Sequence, residues 1–151
     1  FSSFMEDLKA IALDILTKGN YLHLATVDEQ GPWSATLFYV HDDLNLYWLS
    51  QPTTRHSNAI RQFPYKAAGT ITLTQRPGEQ DIGLQLEGRA YRLETVPLHI
   101  AQAYQQKRNK SLPSTPREFL EPGQECYQLY TESIEIIHQP LWGRERKTLT
   151  L

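Results

Sequence analysis

Apolar residues at the start of the chain recur at spacings of three and four. Phe1, Phe4, Leu8, Ile11, Ala12, Ile15 and Leu16 form one stripe, which predicts an amphipathic helix stopped at Gly19. Ser3 and Glu6 have the spacing of a capping box at its start. The period then shortens to two. Runs rich in Tyr, Trp, Phe, Val, Leu and Thr predict strands at about 21–28, 33–41, 44–50 and 66–74. Gly31-Pro32 and Asp42-Asp43 mark turns, so the first three strands should form an antiparallel meander. A short helix over 55–62 should end at Phe63-Pro64.

Beyond Arg76-Pro77-Gly78 a long strand is expected over 82–94. Thr95 as cap and Pro97 in the first turn then open a helix over 96–108. The polar, proline-bearing stretch from Lys107 to Gly123 reads as a loop with one helical turn near 117–120. A strand is expected over 126–138, and 145–151, after Gln139-Pro140, offers room for a last one. About six strands with few helices predict a mainly β protein, a small antiparallel β-barrel with peripheral helices.

At 151 residues the chain suits a single domain, 1–151, with a substantial core. A net charge of -2 argues against a general nucleic-acid binder. No apolar run reaches the roughly 20 residues that span a membrane, and no secretory leader is visible. The chain begins at Phe1 rather than Met. Cys126 is the one cysteine, which fits a reducing, cytoplasmic setting and a small core residue better than a nucleophile. His23, His41, His99 and His138 show no metal-ligand spacing.

Chemistry concentrates between Ser50 and Asn58. Ser50 ends a strand, Thr53 or Thr54 is placed to cap the next helix, and Arg55 adds a permanent positive charge. Hydroxyls, a guanidinium and free helix amides together suit a phosphate dianion. The same residues also suit an ordinary capped helix with a surface arginine.

The order of these pieces resembles the pyridoxamine 5'-phosphate oxidase-like, FMN-binding split barrels over roughly residues 5–145. The resemblance rests on Leu24-Ala25-Thr26-Val27, Gly31-Pro32, Phe38-Tyr39, Leu46-Tyr47-Trp48-Leu49-Ser50, Thr54-Arg55-His56 with Asn58, and Phe63-Pro64. Gly83-Leu84-Gln85-Leu86-Glu87-Gly88 is similar to a further strand of that family, and the combination looks closest to a poorly characterised subgroup. The resemblance implies an antiparallel split barrel, FMN as cofactor, and a homodimer with the flavin between subunits. It also implies flavin contacts at Ser34, Ala35, Thr36 and Leu37, a hydroxyl contact at Ser50, and phosphate contacts at Thr54, Arg55 and His56.

Two departures stand out. His56 replaces the lysine usual in the family, which lowers the fixed positive charge. The tail Trp142-Gly143-Arg144-Glu145-Arg146-Lys147 is basic but does not match the substrate-phosphate motif of the B6 oxidases. Trp142 is a candidate to stack on the cofactor, and equally a rim or core tryptophan. The expected function is therefore an FMN-dependent oxidoreductase of unassigned substrate. A haem-binding barrel, with His138 as the candidate ligand, a deazaflavin-binding barrel and a non-catalytic flavin-binding dimer are the alternatives. The expected dimer also draws on Leu22, His23, Leu24 and Ala25, which suggest a strand buried on both faces.

Overall fold

The computed structural model describes residues 2–64 and 66–151; Phe1, the first residue of the apolar stripe, lies outside them. Helix α1 (Ser2–Lys18) is followed by strands β1 (Tyr21–Asp28), β2 (Gly31–Phe38), β3 (Val40–Asp42) and β4 (Asn45–Ser50). Next come α2 (Arg55–Gln62), β5 (Ala67–Thr72), β6 (Ile82–Arg92), α3 (Leu98–Lys107) and a short 3-10 turn at Pro116–Phe119. β7 (Glu125–His138), the short helix α4 (Gln139–Trp142) and β8 (Arg146–Thr150) close the chain. The strands form an antiparallel split barrel in the order β2-β1-β5-β6-β7-β4-β3. The long β7 is its spine, pairing β6 along one side and β4, then β8, along the other.

The expected meander does not form. The run 33–41 is two strands, broken at Tyr39, and β2 pairs only β1 while β3 and β4 make a hairpin beside β7. Tyr39 causes the break. Its ring is fully buried, its hydroxyl donates to Leu16 O at 2.7 Å, and its N–H bonds Asn20 O. A residue pinned to the end of α1 turns the chain away from β1. Gly19 permits this approach, because a Cβ there would lie 2.6 Å from both the Tyr39 hydroxyl and Ile71.

Two expected caps also differ. α1 already includes Ser3, so Ser3 is not its cap, and Pro97 rather than Thr95 precedes α3, without a side-chain cap. Proline can start a helix because the N–H it lacks would have no partner there.

The main core joins Leu8, Ala12, Ile15 and Leu16 of α1 to Leu22, Leu24, Trp48, Ile71, Leu84, Leu129, Ile134 and Ile136. Each large aliphatic side chain so buried contributes up to about 1.5–3 kcal/mol. A second cluster packs Ile100, Ala101 and Tyr104 of α3 against Val40, Tyr47 and Cys126. β4 is thus buried on both faces, with Leu46 and Trp48 toward one cluster and Tyr47 toward the other. β1 is not. Leu22 and Leu24 are buried, but Ala25 and the neighbouring Tyr21 and Val27 are exposed, so the face expected to be covered is open in this chain. Cys126 is buried in this second cluster, so it is a core residue, and that burial raises its thiol to about 12.

Candidate functional site

The N-terminus of α2 gathers Ser50, Thr54, Arg55 and His56, four of the nine candidate cofactor contacts. Thr54 is the N-cap, extended in backbone, and its hydroxyl oxygen accepts the Ser57 N–H at 3.2 Å. β4 ends at Ser50, beneath this turn. Ser50 Oγ lies 2.8 Å from His56 Nε2, and Thr54 Oγ1 lies 3.3 Å from the same nitrogen. His56 is 8% exposed, and burial pushes its pKa below the ordinary 6.5. The imidazole therefore favours its neutral form, and both hydroxyls meet it at the one nitrogen, Nε2.

Arg55 points to the other side. Its Nε donates to Asp28 Oδ2 at 2.7 Å and its Nη2 to Asp28 Oδ1 at 3.0 Å. The guanidinium carbon lies 4.4 Å from the centre of the Trp33 ring. Asp28 also accepts the Gln30 N–H, and the Arg55 hydrogen bonds hold its carboxyl below the usual range. The guanidinium is thus fixed in orientation, with Nη1 outside the pair. A cavity of about 430 Å³ opens here, lined by Asp28, Glu29, Gln30, Thr53, Arg55 and Asn58.

Ser34, Ala35, Thr36 and Leu37 lie on β2, opposite Ala25, Leu24, His23 and Leu22 of β1. Ser34 and Thr36 are exposed, and Thr36 Oγ1 is 3.2 Å from His23 Nδ1. Trp33, near the start of this edge strand, touches Arg55, while Ser34, Ala35, Thr36 and Leu37 run from there away from Asp28, toward the Tyr21 end of β1. Trp142 stands apart from these residues. Its ring neighbours are His138 and Lys147, and it packs partly buried against the main core.

Asp28 and Trp33 belong to the site although nothing in the sequence singled them out. Asp28 sits in a turn whose Asp-Glu-Gln-Gly composition explains itself locally. Only the packing of α2 on β1 and β2 brings it to an arginine 27 positions away. Among the described residues no group of three or more His, Cys, Asp or Glu could hold a metal ion. No described helix is long and apolar enough to cross a membrane.

No family profile matches the chain, and no curated protein matches it in sequence. Solved structures do match in fold. General Stress Protein 26 from Bacillus anthracis is 18% identical with a TM-score of 0.70, over 95% of this chain and 98% of that one. A candidate pyridoxamine 5'-phosphate oxidase from Listeria innocua is 21% identical with a TM-score of 0.67, over 85% and 97%. HutZ, a heme storage protein from Vibrio cholerae, is 16% identical with a TM-score of 0.64, over 86% and 94%. The chain therefore has the split-barrel fold of the pyridoxamine 5'-phosphate oxidase-like proteins.

Proposed function

We propose that this protein binds FMN as a homodimer and acts as an FMN-dependent oxidoreductase in the cytoplasm. The observation that carries this reading is that Ser50, Thr54 and His56 meet at the first turn of α2, while Arg55 leaves the same turn on its Asp28 side. That donor set fits a phosphate. The free amides of the helix start and the hydroxyls donate hydrogen bonds, and Arg55 adds a charge-assisted one through its remaining Nη1. His56 would join them by taking up a proton when a dianion arrives. Ser34, Ala35, Thr36 and Leu37 would offer side-chain and edge-strand backbone groups to the flavin ring. Trp142, away from this group in its own protomer, would reach a flavin only across a dimer interface. The bound isoalloxazine would supply the redox chemistry, and the protein would position it and shield it from water.

The open face of β1 supports the dimer, because an exposed strand bearing Tyr21, Ala25 and Val27 gains by being covered. A second reading, haem binding, draws on His138, whose Nδ1 is buried without a hydrogen-bond partner. It also draws on the likeness in fold to HutZ, named a heme storage protein. A deazaflavin in the same phosphate site, or flavin binding without turnover, are the remaining variants. Extraction of the ligand from purified protein, identified by mass spectrometry, decides among them. Absorbance near 450 nm with FMN recovered supports the proposal, and a Soret band with haem recovered overturns it. NAD(P)H oxidation in the presence of FMN separates an enzyme from a carrier.

A further inference from the structure

α2 has cavities on two of its faces. Arg55, Asn58, Ala59 and Gln62 form the stripe beside the Asp28 cavity. Ser57, Ile60 and Arg61 form another stripe, about 200° around the helix from Arg55 at its start. They face a second cavity of about 310 Å³, which β6 and β7 close from below. This volume is near the lower end of ligand pockets, about 300 Å³, and suits a ligand of one ring.

The walls of the second cavity are part apolar and part charged. Ile60, Pro52 and Pro64 line one side. Tyr127 lines the floor, and its ring stacks on the fully buried Trp48, with centroids 6.1 Å apart and planes 13° apart. Tyr91 stands at the rim, 39% exposed.

The charges are unequal. Arg61 and Arg92 both line the cavity, against a single carboxylate, Glu125. Arg92 Nη1 is 3.6 Å from Glu125 Oε2, too long for a full hydrogen bond. Arg61 gives one N–H, from Nη2, to Asn58 Oδ1 at 2.7 Å. Two forked donors thus border an aromatic cavity with one net positive charge, which matches a planar monoanion.

We propose that this cavity binds a small, single-ring aromatic carboxylate, with its ring against Ile60 and Tyr127 and its carboxylate at Arg61 and Arg92. The site is separate from the one assigned above to FMN phosphate, and it stands or falls independently of that assignment.

Calorimetric titration of the full chain with benzoate, benzamide and acetate tests it, with circular dichroism confirming that each variant is folded. Benzoate should bind with a dissociation constant of about 1 mM or tighter, the range expected for so small a ligand. Benzamide, which lacks the charge, and acetate, which lacks the ring, should each bind at least about tenfold more weakly. Arg61→Gln and Arg92→Gln should each weaken benzoate at least about threefold, and raising the salt should weaken it further. Equal affinity for benzoate and benzamide, unchanged affinity in both folded variants, or no benzoate binding at about 10 mM overturns the proposal. A last arm repeats the titration with FMN present. Unchanged benzoate affinity supports a separate site, and competition between the two overturns it.

Discussion

Asp28 holds Arg55 by two hydrogen bonds, of 2.7 and 3.0 Å, while the Trp33 ring lies against the guanidinium. The residue best suited to grip a phosphate is therefore partly neutralised before any ligand arrives. A phosphate must share Arg55 with a carboxylate that is already there. Removing the carboxylate charge while keeping its shape, as in Asp28→Asn, should tighten FMN binding by about three- to tenfold at low salt. Quenching of flavin fluorescence measures this. Weaker binding in the variant would show that Asp28 serves to position Arg55 and does not compete with the ligand.

Arg55→Ala should weaken FMN by about tenfold, since the lost bond is charge-assisted. Riboflavin, which lacks the phosphate, should be nearly indifferent to the same change. Equal losses for the two ligands would remove the α2 N-terminus as the phosphate site.

His56 makes stability depend on pH in a defined direction. Burial lowers its folded-state pKa below the ordinary 6.5, so the unfolded chain binds the proton more readily. Its contribution is fully present above about pH 6.5 and is lost as pH falls through the folded value. In urea unfolding, wild type should lose stability in that window relative to His56→Gln. FMN should show the opposite trend if its phosphate draws a proton onto His56, with affinity falling as pH rises. The phosphate's own titration near pH 6 has to be subtracted. A pH-independent difference between wild type and variant would mean that the imidazole does not titrate in this range.

Lys107 ties α3 to the junction of α1, β1 and β3. Its Nζ donates to Gly19 O at 2.7 Å and to Tyr39 O at 2.9 Å, beside the Tyr39 ring. Burial lowers its pKa to about 8. The folded state thus holds the proton less tightly than the unfolded chain, and stability should rise as pH increases from about 8 toward 10.5. A neutral amine still has two N–H groups for the two carbonyls. Lys107→Met leaves both acceptors without a donor and should cost about 1–3 kcal/mol. It should also remove the rise, read as wild type minus variant in urea titrations so that tyrosine ionisation cancels. A stability gain in Lys107→Met would show that desolvating the ammonium outweighs its bonds.

The exposed face of β1 and β5 predicts association. Light scattering at micromolar concentration should give about twice 17.4 kDa. Ala68, exposed and opposite Ala25 in the sheet, lies centrally on that face. Ala68→Arg should produce a folded monomer with impaired FMN binding. A wild-type monomer would withdraw both the interface and any contribution of Trp142 from a second subunit.

Local pattern determined much of this protein. The period of three and four placed α1, the alternating runs placed most of the strands to within a few residues, and a helix over 55–62 capped by Thr53 or Thr54 was legible, the structure choosing Thr54. Each of these depends on neighbours in the chain. The short helix α4 was not legible, because four residues carry no period. The meander failed for a different reason. Residues 33–41 are apolar enough for one continuous strand, and the burial of Tyr39 with its bonds to Leu16 O and Asn20 O divides it.

The order of the pieces along the chain also indicated the split barrel, and Gly83 and Gly88 show why such a sequence suits it. A Cβ on either would lie 2.5 Å from Ile71 O and 2.0 Å from Tyr130 O respectively, so the strands approach there as only glycine allows. What tertiary structure alone decided is the state of the candidate site. Ser50, Thr54 and His56 lie within six positions of one another, and their meeting follows from a strand end and a helix cap. Asp28 and Trp33 reach Arg55 only because α2 packs across β1 and β2. Ion pairing acts through space, so composition and spacing carry no trace of a partner 27 residues away.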